Sequence, residues 1–469
     1  MFGQSCAWCH YWFRTRRGPV DLAGKAVRTV SPSSSQPGLH VIAKPIGPIC
    51  NLRCDYCFYL DKESLYGQRE SWRMSDETLE VYVRQYIEAQ PEQVHEIDFA
   101  FQGGEPTLLG IDFFGRVLQL QRQYARAGMT IHNSLQTNGV LLDDRWCEFL
   151  REHDFLVGLS LDGPINLHDK YRRDKQGGGT FERVTRAMRR LFRHGVEFNV
   201  LTCVHRANAD HPVRVYRFLR DAGVRFIQFI PVVQRRNDAG AGTAADARPE
   251  EPVTQPSVRP EQFGRFLVDV FDEWVHHDVG QVFVREFDQA LAAWAGTVPS
   301  LCVYTWHCGR AVALEHDGDL YSCDHFADPP HKLGNIHQAT IRELVKSPRQ
   351  EQFGLDKEQR LPETCRQCRY LFACHGACPK DRFVAAPHGQ PGLNYLCPGY
   401  KMFFEYVDPY MKAMAAEVRA GRPAAGVMHQ LRARQQRARE EAVAAGLVRR
   451  NDPCPCGSGR QFNDCCMRQ

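Results

Sequence analysis

Between residues 39 and 233, short apolar runs alternate with stretches of helical period. The runs Val41–Ile46, Glu96–Phe101, Thr130–Gln136, Phe155–Leu161, Glu197–Val204 and Arg225–Ile230 read as strands. Amphipathic helices are predicted over Ser75–Ala89, Ile111–Arg126, Asp143–His153, Thr180–His194 and His211–Ala222. Strand, helix and strand repeated in this way imply parallel βαβ units. Six units suit a partial (β/α)6 barrel, an α/β fold whose reactive groups gather at the C-terminal ends of the strands.

Outside this stretch the pattern changes. Residues 1–38 read as a flexible N-terminal extension; Ser31–Gly38 has linker composition, and residues 1–17 lack the apolar core and cleavage site of a secretory signal. Residues 234–260 are rich in Ala, Pro, Gly and charge, so they are expected to bury little surface and form a mobile insertion. Residues 261–299 open with a predicted helix, Glu261–His277, that closes the barrel. A cysteine-rich region follows over 300–400, with a hairpin signal at Asp317-Gly318. Residues 401–448 read as a helical tail, and 449–469 as a small terminal module.

Composition narrows the function. A net charge of +4 over 469 residues argues for no nucleic-acid partner. No run of about 20 apolar residues exists, so no membrane span is expected. With no export signal, 19 cysteines point to metal or cluster ligation in a reducing cytoplasm rather than to disulfides.

The first strand runs into Cys50-Asn-Leu-Arg-Cys54-Asp-Tyr-Cys57. Three thiolates can hold three irons of a [4Fe–4S] cube and leave the fourth open to a substrate or cofactor. A zinc knuckle or disulfide framework is the alternative, but zinc favours two cysteine pairs or Cys/His sets, and no nearby fourth ligand exists here. Strand two ends in Gln102-Gly103-Gly104-Glu105-Pro106, where glycines allow close backbone approach and Glu105 could accept from an ammonium. Strand four ends in Ser160-Leu161-Asp162-Gly163-Pro164, followed by His168 to Arg172, and strand six ends in Ile230-Pro231-Val232-Val233. The plainer readings are a strand-end cap for Ser160 and a solvated charge for Arg172.

Farther on, Cys302, Cys308, Cys323, Cys365, Cys368, Cys374, Cys378 and Cys397 suffice for two fully ligated [4Fe–4S] clusters or for two structural zincs. The terminal Cys454, Cys456, Cys465 and Cys466 suit tetrahedral zinc, which so small a module needs in order to fold. Cys6, Cys9 and His10 read as incidental or as a weak metal site, and Cys147 and Cys203 as buried small hydrophobes.

With its aromatic tail of Tyr56, Phe58 and Tyr59, the triplet resembles the radical S-adenosylmethionine (SAM) family. That resemblance implies that the open iron chelates the cofactor's amino and carboxylate groups, and that one electron cleaves it to a 5′-deoxyadenosyl radical. It places Tyr56, Gly104, Glu105, Ser160, Arg172 and Val233 around the cofactor. Residues 39–410 resemble the SPASM-bearing peptide-modifying members, and among them the anaerobic sulfatase-maturating enzymes. This resemblance assigns Cys302, Cys308, Cys323 and Cys378 to one auxiliary cluster and Cys365, Cys368, Cys374 and Cys397 to the other. It makes Asp324 the general base, an unfolded or nascent sulfatase polypeptide the substrate, and a flavodoxin or ferredoxin the electron donor. The implied reaction oxidises a Cys or Ser to Cα-formylglycine. The last residues resemble the SEC-C zinc motif, which implies a docking partner. Two other readings remain: a thioether-forming or cyclising SPASM enzyme, disfavoured because no winged-helix leader-binding segment precedes Val41, and a zinc-bearing adaptor.

Overall fold

The computed structural model describes residues 38–59, 62–63, 72–236, 252–445, 449, 451–454 and 461–462. Cys6, Cys9, His10, Cys456, Cys465 and Cys466 lie outside the described residues.

Six parallel strands form the barrel: β1 (His40–Lys44), β2 (Glu96–Phe101), β3 (Thr130–Thr137), β4 (Leu156–Ser160), β5 (Phe198–Val204) and β6 (Phe226–Pro231). Each predicted helix lies between its two strands. Local chemistry sets their starts: Ser75 and Asp143 accept from the backbone N–H three residues on, filling donors that the first turn leaves open. Val41, Phe99, Leu135, Val157, Val200 and Ile227 are buried and fill the layer between strands and helices.

At one edge of the barrel, β7 (Phe283–Val284) pairs with β6. At the other, β8 (Ala311–Glu315) lies parallel to β1, from His40↔Ala311 to Lys44↔Glu315. β9 (Asp319–Tyr321) turns back antiparallel through the Asp317-Gly318 hairpin, and β10 (Lys332–Asn335) follows. The ten strands make one sheet, in the order β10-β9-β8-β1-β2-β3-β4-β5-β6-β7. The cysteine-rich region therefore extends the barrel's own sheet. The rest of that region is short helices and loops as far as the long helix Cys397–Arg419, which packs on helix Pro260–His277.

One expectation is corrected. The end of the 234–260 stretch is buried rather than solvated. Arg235 bridges Val253, Thr254 N donates to Gln234 O at 2.9 Å and Val258 N to Val232 O at 3.0 Å. Val253, Ser257 and Val258 are at most 1% exposed. Composition averaged over the stretch hid two valines that seal the end of β6. Residues 237–251 lie outside the described residues. Among the described residues no helix is long and apolar enough to cross a membrane.

Candidate active site

The Cys50–Cys57 loop leaves the C-terminal end of β1 and is fastened on two sides. Arg53 N donates to Arg173 O at 2.8 Å and Asp55 N to Tyr171 O at 3.1 Å, which ties the loop to the segment after β4. Gly104 N donates to Gly47 O at 2.8 Å and Glu105 N to Ile49 O at 2.9 Å, which ties it to the loop after β2. A Cβ at Gly104 would stand 1.9 Å from Ile49 O, so the approach requires glycine.

The three thiols share one environment. Burial pushes Cys50 up to about 11 and raises Cys54 further, and each also feels the charge of Cys57. Arg172 opposes the rise at Cys54. Among the described residues no three Cys, His, Asp or Glu side chains converge as they would on a single ion. A four-iron cube is held at its corners by separate thiolates, and three of them leave one iron open.

Beside the triplet lies a buried polar network. Asp162, fully buried, accepts from Arg172 Nε at 2.9 Å, from Cys203 N at 2.9 Å and from the Tyr56 hydroxyl. Burial works against its charge, but Arg172, His205 and His168 outweigh that and hold it below the usual carboxylate range. Arg172 is 7% exposed, lies over the Tyr56 ring at 5.6 Å and approaches Cys203 Sγ at 3.7 Å. It is not the solvated charge of the plainer reading, while Cys203 packs as a small hydrophobe against the apolar cluster of Tyr56, Tyr171 and Val232. Ser160, at the end of β4, accepts from Gln136 Nε2 at 3.1 Å. Val233 is buried after β6, and its carbonyl accepts from Lys380 Nζ at 2.9 Å.

Glu105, expected to accept from an ammonium, is buried and held in place by the chain. Its carboxylate accepts from Thr107 N (3.1 Å), Thr107 Oγ1, Thr137 Oγ1 (2.7 Å) and Asn138 N (2.8 Å). Three of these bonds fall on Oε1 and one on Oε2, so Oε2 keeps an acceptor site open. Glu105 thereby ties the loop after β2 to the end of β3.

Asp324 follows β9 and pairs with Lys44 at the end of β1, which is 1% exposed. The Lys44 ammonium also sits 3.9 Å from the centre of the Tyr59 ring, and the Tyr59 hydroxyl donates to buried Glu315. Burial works against the Asp324 charge, yet Lys44, His325 and Gln102 outweigh it and keep the carboxyl below the usual range. Next to it, the His325 ring meets Phe58 edge-on at 5.8 Å, and its Nδ1 lies 3.6 Å from Cys378 Sγ. Thus Asp324 stands where the triplet loop and the cysteine-rich region meet.

The eight downstream cysteines divide into two groups. Cys323 feels the charges of Cys302 and Cys378, and Cys378 feels those of Cys302 and Cys308. Cys374 feels Cys397, Cys365 and Cys368, and Cys397 feels Cys365 and Cys368. Burial is the larger cause of the raised thiol pKa in each case. Cys378 thus feels the distant Cys302 and Cys308 and acts in turn on Cys323. At the far terminus, Cys454 is buried beside the Pro453↔Gln461 bridge.

Known proteins share this arrangement. The radical SAM superfamily profile matches residues 45–219, the SPASM iron–sulfur cluster-binding domain 302–369 and the SEC-C motif 450–468. The chain is 44% identical over 397 residues to a serine-type anaerobic sulfatase-maturating enzyme of Bacteroides thetaiotaomicron, covering 84% of this chain and 95% of that protein. The chain belongs to the anaerobic sulfatase-maturating enzyme family. A cysteine-type member from Clostridium perfringens is 34% identical, covering 82% of this chain and all of that one. The solved structure of native anSMEcpe with bound AdoMet and Cp18Cys peptide superposes with a TM-score of 0.71 at 33% identity, over 81% of this chain and all of that one. This chain is thus a radical SAM enzyme with a SPASM domain, and the family places iron–sulfur clusters and SAM at the site described.

Sequence reasoning missed two members of this maturase site. Lys44 was hidden because a lysine closing an apolar strand reads as a solvated end, and only the pairing of β8 with β1 buries it. Asp162 was quoted at the end of strand four but given no role. An acidic residue beside Ser160, ten residues before Arg172, was the available signal.

Proposed function

We propose that this enzyme oxidises an active-site serine or cysteine of a sulfatase polypeptide to Cα-formylglycine, and that Asp324 is its base. The observation that carries the reading is the Lys44–Asp324 pair at the junction of the triplet loop and the SPASM region. Cys50, Cys54 and Cys57 would hold the cluster that binds SAM; Cys302, Cys308, Cys323 and Cys378, and Cys365, Cys368, Cys374 and Cys397, would hold two auxiliary clusters. When bound, these groups supply a 5′-deoxyadenosyl radical that takes a hydrogen atom from the substrate β-carbon, and an acceptor for the electron left behind.

The chain's own residues do the rest. Arg172 and Ser160 line the cofactor side, with Asp162 fixing Arg172 and Tyr56. Gly104 brings the loop after β2 against the triplet loop, and Val233 offers an apolar wall. Asp324, held ionised by Lys44, accepts the hydroxyl or thiol proton on a carboxylate oxygen. Loss of the β-hydrogen, that proton and one electron turns the alcohol into an aldehyde directly. The thiol becomes a thioaldehyde, which water hydrolyses to aldehyde and hydrogen sulfide. The higher identity to serine-type relatives, 44% and 38% against 34%, favours serine as the target. A flavodoxin- or ferredoxin-like donor would supply electrons. Cys454, Cys456, Cys465 and Cys466 would bind zinc in a tail that docks a partner.

The test is mass spectrometry of Cys-x-Pro-x-Arg and Ser-x-Pro-x-Arg peptides after anaerobic incubation with reconstituted enzyme, SAM and a strong reductant. Aldehyde in the serine peptide is expected. Deoxyadenosine formed while both peptides stay unchanged would overturn the substrate assignment, and metal analysis showing no zinc would overturn that of the tail.

A further inference from the structure

Two cations sit among the eight SPASM cysteines with no ion-pair partner among the described residues. Lys357, on helix Pro348–Gln359, is 1% exposed. Its ammonium donates to the carbonyls of Cys302 and Val303, the latter at 3.1 Å. Arg382 follows Cys378 by four residues and spends its guanidinium on carbonyls too: Gly376 and His375 at 2.8 Å, Ala377 at 3.3 Å, and Lys357 itself. The chain makes room for it. Gly376 has φ +70°, and a Cβ there would stand 2.5 Å from Arg382 Nη2.

Main-chain carbonyls satisfy donors but neutralise no charge, and a buried cation needs an anion. Among the described residues, the charges that most favour Lys357 are the thiols Cys308, Cys302 and Cys378, and Arg382 opposes it. Those that favour Arg382 are Cys308, Cys365, Cys374 and Cys378, drawn from both cysteine groups. The two cations also repel one another, so they are placed together at a cost. A [4Fe–4S] cluster on four thiolates is a net anion and becomes more so on reduction. Charge near a cluster sets its potential.

We propose that Lys357 and Arg382 are the counter-cations of the auxiliary clusters: Lys357 serves the cluster on Cys302, Cys308, Cys323 and Cys378, and Arg382 lies between both and raises both reduction potentials. This rests on the three-cluster reading above. It gives the electron that leaves the substrate a downhill entry into the SPASM region and couples the two clusters through one shared charge.

The test uses the full chain with Cys50, Cys54 and Cys57 all changed to Ala, so that only the auxiliary clusters report. Iron and sulfide are counted first, then midpoint potentials are read by EPR-monitored redox titration. Lys357→Met should move one potential to more negative values and leave the other in place. Arg382→Gln should move both, and Arg382→Lys should leave both near the parent's. Unmoved potentials with about eight irons per chain overturn the proposal while the cluster reading stands. A parent without those irons overturns the cluster reading itself. Equal shifts in Arg382→Gln and Arg382→Lys point to packing instead of charge and also overturn it. If Arg382→Gln loses its iron, Lys357→Met decides alone.

Discussion

The two cysteine-bearing halves of this enzyme are supported in opposite ways. The triplet loop hangs from a barrel whose strands and helices bury their own apolar faces, and the Asp162–Arg172 and Lys44–Asp324 ion pairs stand beside it. The cysteines of 302–397 sit mostly on loops and on helices as short as Glu363–Arg366 and Leu371–Cys374. Their charged company includes, beside Asp381 and Asp324, Lys357 and Arg382, whose strongest favourable charges are the thiols themselves. The barrel is a fold that carries a cluster. The SPASM region holds its cysteines on little regular structure, so its order is expected to depend on the clusters it binds.

The sharpest way to break this comparison is to remove the iron. Chelation should leave amide protection in β1–β6 largely intact. Protection across 302–397 should fall by on the order of a thousand-fold, because ligand binding there is folding free energy. Hydrogen exchange followed by mass spectrometry reads this directly, and equal loss in both halves would refute the contrast.

The next largest effect concerns the junction. Asp324→Asn should leave deoxyadenosine formation in place and lower aldehyde formation by about 10²–10⁴-fold, the usual contribution of a positioned base. Product at the parent rate would remove Asp324 from the mechanism.

On the barrel side, Gly104→Ala forces a Cβ against Ile49 O. It should destabilise the loop by about 1–3 kcal/mol. SAM cleavage should fall with it, while the auxiliary potentials stay unchanged. A crossover of effect into the SPASM clusters would show the two halves to be less separable than described.

The smallest expected change is a shift in pH. Lys44 holds Asp324 below the usual carboxylate range, so Lys44→Met should raise its pKa. The acid limb of aldehyde formation should then move upward by about one unit, with no matching shift in deoxyadenosine formation. An unmoved limb would mean that Lys44 only fills space.

The amino-acid sequence by itself determined much of this protein. The alternation of apolar runs and helical periods set all six barrel strands and the helices between them, because burial of one strand or one helix face is written in spacings of two to eight residues. Cysteine spacing likewise announced an open cluster site and enough ligands for two closed ones, since a chelating loop is a local object. Burial of residues 252–258 was not legible, because two valines in a polar stretch carry no period. Nor was the hold on Glu105, whose hydrogen-bond partners Thr137 and Asn138 come from another strand end. Only the tertiary structure laid β8 beside β1. That one parallel pairing buries Lys44, brings Asp324 to it across 280 residues of chain and sets the SPASM region against the triplet. It also brought Cys378 within electrostatic reach of Cys302, 76 positions away. Contacts between distant segments form because the sheet brings their strands together, and no pattern within either segment records its partner.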